Sequence, residues 1–495
     1  MKQVWMAAAV VSCGWAGTVL EEYRIVSARN TVEKNLVEVR PGETLALQVR
    51  AYGRLEQAGE EPQQGRIEHT KWEARILEAG GGKLSKPFKY QGEDTETVLQ
   101  EKTSAFAAIL RAGAGRFLAK DAVLYNAPLE PGTYTVEVAA TEGGDVKASV
   151  KVRVTPTAPS SWTQPKNLFG EEPLDTSPYR YLCEHYAPFV AQETWFDPRA
   201  DYLHRFDFDG DRHGDNNWDN LEYGSPQAYV YYAAMETETH WFLHYNFFHA
   251  RDYSDNCLAG MCHENDNEGI VLTVKKDGSE FGRLEVMETL AHNNVYTYTN
   301  RRDLRKGLHN VDGPLVLVEE SHPVVFLEAG GHGALGGGDR KSTYDAEKGE
   351  WKADTGVTYF YRGVAEMPKS SLAQQVGYEL LPIEEHWWKR HAEEREGSRQ
   401  MFADYEEYRP VGNRPRPRDP RLATAFLGEK HSSNKARPFW GWTDTAGKRR
   451  KVYATGQWAL DPAYSLRQSL RFPADEEWSF EYVYNPFLDI VRKPE

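Results

Sequence analysis

The sequence predicts a mainly β protein, with an N-terminal Ig-like β-sandwich followed by a larger β-sandwich domain with a few helices. Apolar and polar residues alternate along many short segments, which is the pattern of half-buried strands. Turn signals such as Pro41-Gly42 and Pro131-Gly132 stand before several of these segments. Aromatic residues, which favour strands, make up 12% of the chain. A chain of 495 residues is also too long for one ordinary core, so at least two domains are expected.

The first twenty residues resemble an export signal. Lys2 precedes the apolar run 4–11, and Ser12-Cys13-Gly14 follows it. Residues 10–13 are similar to a bacterial lipobox, which would place a lipid anchor on Cys13. A buried N-terminal strand is the alternative. We predict a signal over 1–20, and hence a secreted, cell-surface or periplasmic protein.

The Ig-like domain is predicted over 21–155. Its clearest hairpin has alternating residues on both sides of Gly143-Gly144, at Tyr134, Val136, Val138 and Ala140 and then at Val146, Ala148, Val150, Val152 and Val154. The segment 156–165 contains a run rich in Pro, Ser and Thr without an apolar period, so it is predicted to be a linker.

The second domain is predicted over 166–495. Trp241, Leu243, Tyr245 and Phe247 alternate with Phe242, His244, Asn246 and Phe248, which indicates a strand with two different faces. A helical insertion is predicted near 383–408, where Glu, Lys, Arg, Trp and Ala are frequent.

The charge of the chain excludes some classes of partner. A formal net charge of −15 argues against nucleic acid and anionic membranes, because both require clustered Lys and Arg. No segment approaches the roughly 20 apolar residues of a transmembrane helix. Cations and neutral sugars are the better partners.

Three cysteines remain when Cys13 is set aside. Cys257 and Cys262 are close enough to form a disulfide in an oxidising compartment, and their spacing is not that of a zinc site. A disulfide is therefore favoured. Cys183 is then expected to be buried and unpaired.

The most informative stretch is His263-Glu264-Asn265-Asp266-Asn267-Glu268, which Asp252 and Asp255 precede. Several carboxylate oxygens in a tight turn suit a hard cation such as Ca²⁺ or Mg²⁺, and imidazole with carboxylates also suits Mn²⁺ or catalytic zinc. On spacing alone, a polar loop before the strand at Ile270 is an equal alternative.

This stretch resembles the H-E-G-D-W-E-G-V signature of a vacuolar-sorting-associated family and the G-H-R-H-D-W-E heptapeptide of the necrosis-inducing (NLP-type) toxins. The resemblance to the first family extends over about 180–340, and includes 245–248 and the segment from His322 to Gly333. The toxin family implies a cation held by Asp255, His263, Asp266 and Glu268. Asn267 stands where the motif has Trp, and Asn265 replaces the second His of the toxins, which puts toxin activity in doubt more than metal binding.

Two further groups are candidates for the same chemistry. Asp207, Asp209, Asp211 and Asp215 alternate as in a Ca²⁺ loop, although Gly210 is not at the position of an EF-hand glycine. A polar loop that caps itself is the equal alternative. His332, in a glycine-rich turn, is either a ligand or general base near the cluster or a structural turn histidine.

Three functions fit these residues. The first is an exported, Ca²⁺- or Mg²⁺-dependent surface protein that binds a glycan or a polar lipid head group. The second is a metal-dependent hydrolase that uses the same carboxylate and His site, with His332 as base. The third is an adhesion module stabilised by structural Ca²⁺. A closed coordination shell would favour the third, and an open position beside a pocket the second.

Overall fold

The computed structural model describes residues 17–27, 35–56, 63–67, 72–85, 122–141, 144–155, 175, 177–195, 197–224, 226–254, 257, 262–352, 356–391, 394, 400–405, 420–443, 453 and 455–490. The chain divides into two compact units, Met1–Val39 with Leu45–Thr155, and Arg40–Thr44 with Pro156–Glu495. Cys13 and the linker predicted at 156–165 lie outside the described residues. Residues 17–20 of the predicted signal belong to the first strand.

The first unit contains two sheets. Its strands are β1 Gly17–Ser27, β2 Leu36–Val39, β3 Thr44–Glu56, β4 Gln63–Ile67, β5 Trp72–Ile76, β6 Lys83–Ser85, β7 Ala122–Asn126, β8 Gly132–Ala140 and β9 Lys147–Val154. One sheet has the order β1-β3-β7-β6 with β4 beside β3, and the other has the order β2-β9-β8-β5. Alternate residues of both sheets, such as Leu47 and Val150, form one buried core. The predicted hairpin is confirmed as β8–β9, whereas the Ig-like assignment stays a prediction.

The second unit is built on a large sheet. Its strands are β10 Phe189–Glu193, β11 Tyr229–Thr237, β12 His240–Asp252, β13 His263–Lys275, β14 Arg283–Ala291, β15 Asn294–Thr299, β16 Arg305–Lys306, β17 Leu317–Val318, β18 His322–Leu327, β19 Ala334–Gly336, β20 Tyr344–Asp345, β21 Glu350–Trp351, β22 Gly356–Tyr361, β23 Val376–Pro382, β24 Phe402–Asp404, β25 Thr424–Phe426, β26 Leu470–Arg471 and β27 Tyr482–Tyr484. The large sheet has the order β15-β14-β13-β12-β11-β23-β22-β10-β18-β17, with β19 on β18 and β27 on β11, whereas β16–β26, β20–β21 and β24–β25 form separate pairs.

Both faces of this sheet are covered. Leu243, Tyr245 and Phe247 of β12 belong to one apolar core, and Phe242 and Phe248 belong to the core on the other face. The predicted alternation of β12 is therefore confirmed. Since nearly every position of β12 and β13 is buried, polar side chains at the ends of these strands are held at fixed positions.

The helices of the described residues are few and short, and the prediction of a mainly β chain is confirmed. They are α1 Arg180–His185, α2 Pro198–Asp201, α3 Asn217–Asn220, α4 Gln457–Leu460 and α5 Pro462–Ser469, a π-helix at Glu384–Trp388, and 3₁₀ helices at Pro420–Ala423, Phe439–Gly441 and Pro486–Leu488. Among the described residues, no helix has the length and apolar character needed to cross a membrane.

The helix predicted near 383–408 is a point where the structure differs. Within the described part of this segment, Glu384–Trp388 is a π-helix and Phe402–Asp404 is a strand. Ile383, Trp387, Trp388 and Phe402 are buried in one core, and the last two of these lie 14 residues apart in the sequence. Without a continuous apolar stripe, a long surface helix has nothing to hold it on the sheet.

Candidate metal centre

The site lies where β12 ends and β13 begins. These strands are antiparallel, and their register places Asp252 opposite His263 and His249 opposite Asp266. Asp252 Oδ2 lies 3.1 Å from His263 Nε2. Within the connecting segment, a disulfide joins Cys257 to Cys262, the residue before His263, which confirms the predicted pairing. Cys183 is a buried free thiol, also as predicted.

A bend at Asn265 brings residues of β13 to the same side. In a regular strand, positions 263 and 266 would point to opposite faces. Asn265 has φ of 58°, a left-handed conformation that Asn tolerates better than most residues. Its buried amide donates to the carbonyl oxygens of Gly214 and Leu427, at 2.8 and 2.7 Å. These bonds hold the bend that turns both His263 and Asp266 to the site.

Asp252, His263 and Asp266 can each place a ligand atom within 4.8 Å of the others. His263 Nδ1 lies 2.8 Å from the carbonyl oxygen of Asn265. Since a carbonyl only accepts, this contact places the proton of a neutral imidazole on Nδ1 and leaves the lone pair on Nε2, the atom that faces Asp252. Burial alone would lower the pKa of His263, but the hydrogen bond and the charge of Asp252 outweigh it and raise the pKa.

The carboxylate of Asp266 pairs with the imidazole of His332. His332 is fully buried, with Nδ1 3.0 Å from Asp266 Oδ2 and Nε2 3.3 Å from Asp201 Oδ1. Burial opposes the charged imidazole, but the two carboxylates outweigh it and raise the pKa of His332 to about 9. Burial likewise opposes ionisation of Asp266, but His332 holds the pKa of Asp266 below its usual value. His332 therefore fixes Asp266 as a carboxylate.

Glu268 completes the acidic side of the site. It is 8% exposed, and its Oε1 accepts a hydrogen bond of 3.3 Å from the backbone N–H of His292. Its Oε2 is buried with no hydrogen-bond partner within the described part of the chain. Burial and then the charge of Asp266 raise the pKa of Glu268 well above its usual value. A buried carboxylate oxygen without a donor is costly unless a cation pairs with it.

These side chains line one cavity of about 350 Å³. The lining residues are Asp252, His263, Asp266, Asn267, Glu268, Leu290, His292, Asn293, Gly331, Tyr405, Lys435, Ala436, Arg437 and Trp442. The ligand atoms of Asp252, His263 and Asp266 lie within 4.8 Å of one another, and Glu268 lines the same cavity outside that group. Carboxylates with one imidazole suit Ca²⁺ or Mg²⁺, because hard cations prefer oxygen ligands. Glu268 Oε2, which has no hydrogen-bond partner in the described residues, is suited to bind the same cation.

The structure thus brings together three of the four ligands that the resemblance implies. His263, Asp266 and Glu268 line the cavity, whereas Asp255 lies outside the described residues. Asp252 lines the cavity as well. The signal that would have identified it is the antiparallel pairing of β12 with β13, which sets Asp252 directly across from His263.

The position of His332 does not favour a general base, and that role stays a prediction. It is not among the residues that line the cavity, and both of its ring nitrogens face carboxylates. A doubly protonated imidazole has no lone pair with which to remove a proton. Its place in the site is to support Asp266.

Comparisons with known proteins give weak structural similarities. No protein-family model matches the chain, and no curated protein matches it. Solved structures of the NLP toxin fold are similar to under half of the chain. They include a protein described as the non-toxic HaNLP3 (11% identity, 46% of this chain and 85% of that one, TM-score 0.24). Another is Necrosis and Ethylene inducing Protein 2 from the causal agent of cocoa's Witches Broom disease (14%, 46% and 83%, 0.22).

A further similar structure is NLPPya in complex with glucosamine (14% identity, 48% of this chain and 85% of that one, TM-score 0.22). Scores this low do not establish a shared fold, so the chemistry of the site has to follow from its own residues. The resemblance to the vacuolar-sorting-associated family stays a prediction.

The carboxylates of the second acidic group, Asp207, Asp209, Asp211 and Asp215, do not come together as one set of ligands. Within the described residues, no three of Asp207, Asp209, Asp211 and Asp215 bring ligand atoms within 4.8 Å of one another. Asp207 pairs with Arg205 at 2.6 Å, Asp211 accepts from the backbone N–H of His213 at 2.8 Å, and Asp215 contacts His213 Nδ1. The alternative of a loop that caps itself accounts for these contacts, because each carboxylate already has a donor of its own.

Asp209 gives this loop a pH dependence. Its carboxylate accepts from Asn220 Nδ2 at 2.8 Å and from the Asp211 N–H at 3.2 Å. Burial, with the charge of Asp211, raises the pKa of Asp209 to about 7. A raised carboxyl pKa means that the folded state holds a proton that the unfolded state has released, so stability falls as pH rises from about 4 to about 7.

We therefore expect Asp209→Asn to become progressively more stable relative to the wild type across this range. Because the pKa of Asp209 is raised to about 7, the gain is up to about 4 kcal/mol, and it should level off above pH 7. Urea unfolding in chelator from pH 4 to 8 measures it. A difference between the two proteins that does not change with pH would contradict the assignment to Asp209.

Proposed function

We propose that this protein is an exported, cation-dependent binding protein that holds Ca²⁺ or Mg²⁺ in the cavity and binds a glycan or polar head group there. The observation that carries the proposal is the buried Oε2 of Glu268, which has no hydrogen-bond partner in the described residues and lies in a cavity with Asp252, His263 and Asp266. A divalent cation would pair with that oxygen and relieve the repulsion between Glu268 and Asp266.

The number of ligands supports binding at an open cation. Ca²⁺ takes roughly six to eight ligands and Mg²⁺ six. Asp252, His263, Asp266 and Glu268 provide four side chains, so positions remain for water or for a ligand in the cavity. Hydroxyl and carbonyl oxygens are hard donors, and a sugar or polar head group offers several of them at close spacing.

The two alternatives have less support. A structural Ca²⁺ site would be expected to close its shell with protein ligands, whereas this donor set faces a cavity of about 350 Å³. A hydrolase would need a base beside the cation, and His332, the candidate for that role, is buried behind Asp266. The disulfide Cys257–Cys262 supports an oxidising compartment and therefore export.

The proposal is tested by cation binding and its effect on stability. The full-length protein is stripped with chelator, and its melting is followed with Ca²⁺, with Mg²⁺ and in chelator alone. We expect a rise in melting temperature that saturates with a stoichiometry of one ion, because a ligand that binds only the folded state stabilises it. No melting shift and no bound metal by elemental analysis would overturn the proposal.

A further inference from the structure

A second buried histidine, His249, lies beside the pair of His332 and Asp266. His249 of β12 is directly opposite Asp266 of β13 in the register of the two strands, so both side chains lie on the same face of the sheet. His249 and His332 are fully buried, and neither lines the cavity. Any effect of His249 on a cation therefore has to pass through the residues that it contacts.

The ring of His332 is held both at its edge and on its face. At the edge, Nδ1 lies 3.0 Å from Asp266 Oδ2, and Nε2 lies 3.3 Å from Asp201 Oδ1. On the face, the ring of His249 is stacked at a distance of 3.8 Å between centroids, with an angle of 4° between the planes. Two contacts at the edge still allow a ring to turn about the line that joins them, whereas a parallel ring on its face prevents that turn.

The neighbours of His332 in the chain do not hold its ring. His332 lies between Gly331 and Gly333, and its own φ is 46°, a conformation that residues other than glycine seldom adopt. Glycine has no side chain to pack against a ring, and it leaves the backbone more freedom than other residues do. The restraint on the ring therefore has to come from other segments, among them Asp201 of α2 and His249 of β12.

His249 is itself fixed by Gln192 of β10. Gln192 Nε2 donates to the carbonyl oxygens of Glu193 and Glu328, at 2.8 and 3.3 Å. Its Oε1 is therefore left to accept from His249 Nε2 at 3.0 Å, which places a proton on that nitrogen. Burial and the charge of His332 lower the pKa of His249, so that a neutral ring lies against the charged one.

From these contacts we infer that His249 is a positioning residue for the cation site, which acts through His332 to hold the carboxylate of Asp266 in the orientation that binds the ion. Asp266 Oδ1 accepts from the backbone N–H of Asn267 at 2.9 Å, so with His332 at Oδ2 both oxygens are held. Groups that orient a metal ligand change metal affinity by about 10–100-fold when they are removed. The inference rests on the proposed function, because it assumes a cation beside Asp266.

His249→Leu tests the inference, because it removes the stacked ring and alters neither a lining residue nor the positive charge of His332. We expect the full-length variant to bind Ca²⁺ about 10–100-fold more weakly than the wild type in calorimetric titration, the effect of losing an orienting group. Urea unfolding in chelator measures the accompanying loss of stability. If the variant is less stable but binds Ca²⁺ with the dissociation constant of the wild type, His249 is only a packing residue and the inference is overturned.

His244→Leu is the matched control. His244 lies on the same strand and is also fully buried, but its ring is beside Phe439 and Trp458, in the core on the other face of the sheet. The control should bind Ca²⁺ like the wild type. His249→Phe keeps a flat ring at the stacked position and loses only the hydrogen bond to Gln192, so it should recover most of the affinity that His249→Leu loses.

Gln192→Met gives a second test if His249→Leu does not fold. It removes the acceptor of His249 Nε2, so the stacked ring is no longer fixed and Ca²⁺ binding should again be weaker. An unchanged dissociation constant would count against the inference in this variant too. A wild type that binds no cation contradicts the proposed function, whereas a wild type and a His249→Leu variant that bind Ca²⁺ equally contradict only the role of His249.

Discussion

Glu268→Gln and Asp266→Asn are expected to abolish the melting shift that Ca²⁺ or Mg²⁺ produces. Each change removes one carboxylate from a set in which Asp266 and Glu268 line the same cavity. In the wild type, an ion at 100 times its dissociation constant stabilises the folded state by about 2.7 kcal/mol, and this is the quantity that should disappear. Melting in chelator and in added cation, with elemental analysis of each variant, measures it.

The two variants should differ in chelator. Glu268→Gln removes a buried carboxylate whose Oε2 has no partner among the described residues, so it should be at least as stable as the wild type without metal. Asp266→Asn removes the carboxylate that faces His332 at 3.0 Å, so it should be less stable. If both variants keep the metal content and melting shift of the wild type, the site assignment is wrong.

Glu264→Gln is the matched control on the same strand. Glu264 is also buried, but its oxygens accept from the backbone N–H groups of Trp218, Glu429 and Lys430, at 2.7, 2.6 and 3.1 Å. It is not a lining residue. The change should therefore cost about 1–3 kcal/mol of stability and leave the cation response intact, the opposite of the result expected for Glu268→Gln.

The fold and the centre of this site could be predicted from the sequence because both depend on local patterns. Alternation along β12 fixed its two faces, and the five-residue spacing of Cys257 and Cys262 predicted their bond. The ligands from His263 to Glu268 share one strand, so only the bend at Asn265 had to be supposed.

The remaining parts depend on distant segments. Asp252 needed the register of β12 on β13, and Arg437 and Lys435 come from a segment over 160 residues after the motif. In the sequence, the alternating aspartates from Asp207 resemble a Ca²⁺ loop. In the structure, these carboxylates accept hydrogen bonds from neighbouring residues of the protein instead. Arg205 donates a hydrogen bond to Asp207, and Asn220 donates one to Asp209. The spacing of the aspartates does not reveal that these donors compete with a cation for the carboxylates.

The pKa values of two buried histidines differ because only His332 pairs with carboxylates, one of which is Asp266. His332 and His244 are both fully buried. The pKa of His332 is raised to about 9 by its two carboxylates, whereas burial lowers the pKa of His244 to about 3. His332 is therefore a buried charge between partners, and His244 is neutral between the rings of Phe439 and Trp458.

We expect His332→Leu to cost about 3–5 kcal/mol of unfolding free energy in chelator, because it leaves Asp201 and Asp266 buried without their cation. His244→Leu should cost under about 1.5 kcal/mol, since it removes a neutral ring and leaves no buried charge without its partner. Urea unfolding followed by tryptophan fluorescence measures both, because eleven of the 14 tryptophans lie from Trp162 onward.

A second mutation and added Ca²⁺ test whether charge or packing causes the difference in stability between His332→Leu and His244→Leu. Adding Asp266→Asn to His332→Leu should recover part of the lost stability, because it removes one unpaired carboxylate. Added Ca²⁺ should stabilise His332→Leu more than it stabilises the wild type, since the ion replaces the missing positive charge beside Asp266. If His332→Leu and His244→Leu are equally destabilised, and neither Asp266→Asn nor Ca²⁺ narrows the gap to the wild type, His332 is only a packing residue and does not hold Asp266 for a cation.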